Sequence, residues 1–174
     1  MARLKVTPGD RVLDVGCGTG ALLNRLARAY PDAHLAGLEP VPEMLAGARR
    51  RLPASVALVA GWAEHLPFDA ARFDVIVSSS AFHHVHDPEA VLSEMRRVLK
   101  PNGRLVITDW CDDDLACRLR STFLRLFRRA HLRAYTQREW DQMLQRAGFV
   151  DVLVERYKID RLWGLLTATA SSPV

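Results

Sequence analysis

Residues Val12 to Gly20, VLDVGCGTG, place three glycines within five positions directly after an apolar run. Glycine turns tightly and lets the backbone come close to a bound group. The following residues, ALLNRLARAY, read as a helix: Leu22, Leu23, Leu26, Ala27 and Tyr30 fall near helical spacing, and Pro31 closes it. A strand over Arg11–Val15, opened by Thr7-Pro8-Gly9-Asp10, completes a strand–loop–helix unit. A helix N-terminus presents unpaired N–H groups, so the unit is predicted to hold an adenosine cofactor.

The chain beyond this unit repeats its pattern. A second strand is predicted over His34–Leu38, then a helix through Met44, Leu45, Ala48 and Leu52, then strands over Ser55–Val59 and Phe73–Val77. Asp87-Pro88 opens the next helix, as cap and first-turn proline. That helix runs to about Lys100, where Asn102-Gly103 turns the chain into a strand over Arg104–Thr108. Such alternation predicts a parallel sheet with helices on both faces. Asp112–Ala134 reads as one long or two broken helices added to that plan, and Thr136 caps a further helix that Gly148 stops. Two strand-like runs follow, Phe149–Ile159 and Leu162–Ala170, with Asp160 and Arg161 between them. So short a connection requires an antiparallel pair.

The glycine spacing separates cofactor classes. A dinucleotide fingerprint is GxGxxG, whereas here the glycines are Gly16, Gly18 and Gly20, preceded inside the strand by Asp14. Glu39 lies 19 residues after Gly20, at the end of the second strand, where a carboxylate can accept both ribose hydroxyl hydrogens.

Size and composition bound the rest. The 174 residues suit one domain, 49% hydrophobic and 25% charged, in the range of a soluble globular protein. A formal charge of +4 mildly favours anionic partners and falls short of a nucleic-acid-binding signature. Cys17, Cys111 and Cys117 form no paired framework, which points to reduced thiols and a cytoplasmic protein. The first residues, MARLKVTPGD, lack the apolar core of a secretory signal. No run approaches the roughly 18 apolar residues of a membrane span.

VLDVGCGTG, LAGLEPVPEML, LPFDAARFDVIVSS and RRVLKPNGRLVI, in this order, resemble the class I S-adenosylmethionine-dependent methyltransferases, nearest to the ubiquinone and menaquinone C-methyltransferases. The resemblance covers Asp10 to Thr108 strongly and the terminal strand pair more loosely. It implies a Rossmann-like α/β fold with a seven-stranded sheet in the order 3-2-1-4-5-7-6, strand 7 antiparallel. It also implies S-adenosylmethionine as cofactor and S-adenosylhomocysteine as product. Carried over by position, Asp14 and the backbone of Gly16, Cys17, Gly18 and Gly20 would hold the methionine portion. Glu39 would bind the ribose, Pro40 and Met44 would pack on adenine, and Trp62 and Ala63 would flank its edge. Ser78 and Ser79 would line the site after the fourth strand. Two departures stand out. Where the family often reads GDAE, this chain reads GWAE, and Trp62 can stack on adenine but cannot accept a hydrogen bond from its amino group. Trp62 as a surface or core packing residue is the competing reading. The family also usually carries one or two helices before the glycine loop, against about ten residues here, so a second subunit covering the site, or a non-catalytic binding module, stays open beside the enzyme reading.

The acceptor side is less specific. Methyl transfer from a sulfonium is a direct displacement, so alignment matters most and a base only where the acceptor must lose a proton. AFHHVHDP follows the fourth strand at the ligand-binding edge; of His83, His84 and His86, His84 is chosen as the acceptor-side base. Three histidines without a second ligand cluster do not predict a metal. Asp109 could bind or deprotonate the acceptor, or simply end its strand. Cys111 and Cys117, six residues apart, do not share a helix face. The segment 111–134 is expected near the acceptor site. It carries Arg118, Arg120, Arg125, Arg128, Arg129 and Arg133 opposite an apolar stripe of Leu115, Leu119, Thr122, Leu126 and Ala130, broadened by Phe123, Leu124 and Phe127. A solvated basic face is the default. A lid over an apolar or anionic small-molecule acceptor, a peripheral membrane contact and nucleic acid follow as sharper alternatives. SSSAF after the fourth strand lacks the Asn/Asp-Pro-Pro-aromatic motif of nucleic-acid amino-methyltransferases, which makes nucleic acid the weakest of these.

Overall fold

In the computed structural model, residues 4–111, 133–158 and 164–174 are described. The strands are β1 (Arg11–Val15), β2 (His34–Glu39), β3 (Ala57–Ala60), β4 (Phe73–Ser79), β5 (Leu99–Trp110), β6 (Val150–Lys158) and β7 (Gly164–Ser171). The helices are α1 (Ala21–Ala29), α2 (Pro42–Arg51), α3 (Pro88–Val98) and α4 (Gln137–Arg146), with a 3-10 turn at Phe82–His84. They build a seven-stranded sheet in the order β3-β2-β1-β4-β5-β7-β6. The pairs among β1 to β5 are parallel, and β7 runs antiparallel to both β5 and β6. This is the Rossmann-like order that the motifs imply.

Strand alternation sends neighbouring residues to opposite faces. Leu13, Ile76, Leu105 and Ile107 pack under α3 and α4, against Val91, Leu92, Met95, Trp140 and Leu144. Val12, Leu35, Val75 and Val77 face the other way, against Leu23 and Leu26 of α1 and Ala48 of α2. The caps follow from the residues present. Asp87 accepts a bond from the Ala90 N–H at 3.0 Å with Pro88 in the first turn. Thr136 and Glu139 form a reciprocal capping box that starts α4. Gly148 follows α4 at φ 81°, a conformation that glycine adopts without strain.

Several boundaries differ from the sequence reading. Ser55 and Val56 are not in β3, because the Val56 N–H closes a turn onto Pro53 O, and the strand starts at Ala57. α3 ends at Val98 rather than near Lys100, and β5 begins at Leu99, ahead of the Asn102-Gly103 turn. There Asn102 takes φ 59°, its N–H donates to Ser172 O, and Ser172 N–H donates to Gly103 O, so β5 and the chain after β7 hold each other. β2 and β4 extend to Glu39 and Ser79, which puts candidate site residues on strand ends. The helices expected over Asp112–Ala134 lie outside the described residues, apart from Arg133 and Ala134, which are not helical. Cys117 and the arginines before Arg133 lie outside them too. Among the described residues no helix is long and apolar enough to cross a membrane.

Candidate cofactor and acceptor site

From β1 the chain winds outward through β2 and β3, then returns to add β4 on the other side of β1. That reversal leaves a crevice at the carboxyl ends of β1 and β4, where open α/β sheets bind ligands. A cavity of about 700 Å3 occupies it. Gly16, Cys17, Gly18, Glu39, Pro40, Met44, Trp62, Ala63, Ser78, Ser79 and His84 line it, from five separate stretches of chain. Asp14, Gly20 and Asp109 do not.

The glycine loop is fixed by its own surroundings. Gly16, Gly18 and Gly20 take φ of 75°, 54° and 76°, a region that side chains disfavour. A Cβ on Gly16 would stand 2.4 Å from the Ala81 Cβ, so this glycine also lets the β1 and β4 loops touch. A Cβ on Gly20 would meet Leu52 Cδ1 at 2.7 Å, which makes Gly20 a packing position beneath the site. Four of the five loop N–H groups are already engaged. Gly16 and Cys17 donate to Leu38 O at 2.9 and 3.0 Å, Gly18 to Glu39 Oε2 at 2.9 Å, and Gly20 to Cys17 O at 2.9 Å. The sequence reading expected free donors here, and at these four positions the structure replaces them with a loop knitted to β2 and to itself.

Two carboxylates dominate the electrostatics. Asp14 is buried beneath the loop, and its Oδ1 has no hydrogen-bond partner. Burial, and secondarily the Glu39 charge, push its pKa up to about 7. Glu39, also buried, accepts from Gly18 N–H and, through Oε1, from Val41 N–H at 3.0 Å. The Cys17 thiol is raised to about 12 by burial, with Asp14 and Glu39 adding to it, so it stays protonated. The glycine loop therefore brings two buried carboxylates to the site and spends most of its own donors on its fold, which suits a cationic group better than a pyrophosphate.

Of the lining residues, Met44, from the first turn of α2, and Trp62, after β3, are 46% and 63% exposed. The exposure of Trp62 rules out a core packing role and leaves its ring on the cavity rim. Ser78 donates from Oγ to Val15 O at 2.9 Å, tying β4 to β1 under the site.

His84 also lines the cavity, carried on the 3-10 turn. His83 points into the protein. The Asp109 carboxylate accepts from the His83 N–H at 2.9 Å, pairs with its Nδ1 at 2.7 Å and accepts from the Trp110 N–H at 2.7 Å. Asp109 is 2% exposed, so its oxygens hold the loop after β4 and do not face the cavity. The two imidazole rings lie 3.9 Å apart. Thr19, Glu64 and Val85 also line the cavity and were not singled out by sequence. Position next to the glycine loop was the one available signal for Thr19. Glu64 and Val85 carried none.

Residues 13–107 match the family model described as a methyltransferase domain. The chain belongs to the class I S-adenosylmethionine-dependent methyltransferases. S-adenosylmethionine is the cofactor of this family, and the residues present fit it: β1 carries near its end a buried carboxylate with an orphaned oxygen, and the Glu39 carboxylate lines the crevice. Over 106 residues the chain is 41% identical to a demethylmenaquinone methyltransferase of Thermotoga maritima, covering 61% of this chain and 45% of that protein. It is 32% identical over 157 residues to a malonyl-[acyl-carrier protein] O-methyltransferase of Methylococcus capsulatus, covering 88% and 57%. The fold matches a Haemonchus contortus phosphoethanolamine N-methyltransferase 2, solved with phosphomonomethylethanolamine and S-adenosylhomocysteine. The TM-score is 0.84 at 18% identity, over 98% of this chain and 50% of that one. The chain spans 32–57% of the length of curated relatives such as these.

Proposed function

We propose that this methyltransferase chain binds S-adenosylmethionine in the β1–β4 crevice and transfers its methyl group to a small-molecule acceptor. The observation that carries the reading is the pairing of two buried carboxylates with a glycine loop that spends the N–H groups of Gly16, Cys17, Gly18 and Gly20 on its own fold. That combination favours an ammonium-bearing sulfonium cofactor over a phosphate-bearing one. When bound, the cofactor supplies an electrophilic methyl carbon on a leaving thioether. Asp14, buried under the loop, attracts the ammonium group by its charge, and Glu39, still held by Gly18 and Val41, accepts from the ribose hydroxyls. Pro40, Met44 and Trp62 enclose the adenine, with Ala63 at its edge. Ser78 and Ser79 floor the crevice between the cofactor and the loop after β4.

His84 faces the acceptor end and is the residue placed to take a proton where the acceptor must lose one. Asp109 acts through His83 by holding the loop that presents His84. The names of the matched relatives point to acceptors as unlike as demethylmenaquinone and malonyl-[acyl-carrier protein], in keeping with acceptor choice residing outside the shared cofactor core. Calorimetry tests the reading directly. S-adenosylhomocysteine should bind with one site per chain and NAD should not; NAD binding without S-adenosylhomocysteine binding would refute it.

A further inference from the structure

The polar ties of the glycine loop described above run to β2, and one more runs beyond it. Arg51, in the last turn of α2, donates from Nη1 to Thr19 O at 3.1 Å and to Thr19 Oγ1 at 2.9 Å. The other side of Thr19 rests on the same helix: a Cβ on Gly47 would lie 3.3 Å from Thr19 Cγ2. Residues 47 and 51 are one turn apart on one helix face, so Thr19 is seated between them. Thr19 itself lines the cavity between Gly18 and the start of α1. The first turn of α2 meanwhile carries Met44, which lines the same cavity.

We propose that Arg51 is a positioning residue for the methionine end of the cofactor: by clamping Thr19 it holds the glycine loop in its binding shape, and α2 thereby sets the spacing between the two halves of the cofactor site. The physical case rests on entropy. A loop with three glycines at positive φ has many alternative shapes when free, and ordering it at the moment of binding weakens affinity. A two-acceptor grip from a charged donor removes part of that freedom beforehand. Both Arg51 and Thr19 are exposed and belong to neither hydrophobic cluster, so the grip contributes to the loop and not to the core.

The inference rests on the S-adenosylmethionine reading, and the test separates the two. Dissociation constants are measured by calorimetry for S-adenosylhomocysteine and for 5′-methylthioadenosine, which keeps the adenosine and thioether but lacks the amino-acid portion. Arg51→Ala and Thr19→Val should each weaken S-adenosylhomocysteine about threefold to tenfold, the range for an exposed charged hydrogen bond. Both should leave 5′-methylthioadenosine within about twofold, and the double variant should bind no worse than the weaker single one. Equal losses for the two ligands, additive losses in the double variant, or unchanged S-adenosylhomocysteine affinity would each overturn the clamp. A wild-type protein that binds neither ligand would instead overturn the cofactor reading.

Discussion

Replacing Asp14 by Asn tests the electrostatic core of the site, because its two consequences run in opposite directions. In the folded protein the Asp14 pKa rises from 3.8 to about 7, chiefly by burial. An acid whose folded pKa lies above its unfolded value holds an extra proton in the folded state between those limits. Stability therefore falls as pH climbs from about 4 to 7, by on the order of 4 kcal/mol in total, and stays low above that. Asn has the same shape and no charge, so Asp14→Asn should stabilise the ligand-free protein at pH 8 by up to that amount. At pH 5 more than half of the gain should vanish, since the wild-type carboxyl is then largely protonated when folded. Urea unfolding at the two pH values reads this directly.

Cofactor binding shows the reverse. The ammonium group favours the ionised carboxylate, so binding expels the proton wherever Asp14 carries one. With a pKa near 7, about one Asp14 in eleven is ionised at pH 6 and ten in eleven at pH 8. S-adenosylhomocysteine should bind about tenfold more weakly at pH 6 than at pH 8. Calorimetry in buffers of different ionisation enthalpy should register the proton released at pH 6. The Asn variant should bind about tenfold more weakly at pH 8, as the protonated wild-type carboxyl does at pH 6, and should lose this proton release. Equal wild-type affinity at pH 6 and pH 8, or a variant no more stable at pH 8, would refute the reasoning.

Other consequences are local. Gly16→Ala combines φ 75° with a 2.4 Å approach to Ala81 and should lower stability by about 1–3 kcal/mol; Gly18→Ala, with no atom within 4 Å of its Cβ, should cost less, and thermal melting of the pair checks the order. Trp62→Ala should weaken S-adenosylhomocysteine by about tenfold if the ring stacks on adenine as proposed, and should leave the melting temperature in place because the residue is 63% exposed. Asp109→Ala leaves the buried His83 N–H without its acceptor and should destabilise the protein by about 1–3 kcal/mol while leaving S-adenosylhomocysteine affinity within about threefold, measured by urea unfolding and calorimetry.

The candidate site was partly legible before the fold. Gly16, Gly18 and Glu39 declare themselves through local spacing, since a strand–loop–helix unit fixes where its loop and the next strand end must lie, while Met44 enters only through the family resemblance. His84 and His83 show the limit. Adjacent in sequence and alike in chemistry, they are separated by a 3-10 turn that sends one to the cavity and the other to Asp109, 26 positions away. Asp109 had two readings for the same reason: a carboxylate at a strand end can face an acceptor or end its strand, and its partner from another loop favours the second. Arg51 resembled its neighbours Arg49 and Arg50 in a charged helix end, and only the return of the glycine loop over α2 distinguishes it.

Sequence by itself determined the element order, the antiparallel ending and the class of cofactor loop, because hydrophobic period, turn residues and glycine spacing are local properties of the chain. Tertiary structure alone decided what the loop donors are bound to, which histidine faces the cavity and that Asp14 is an orphaned acid near neutral pH. Those depend on burial and on partners far apart in the chain, which no local pattern encodes.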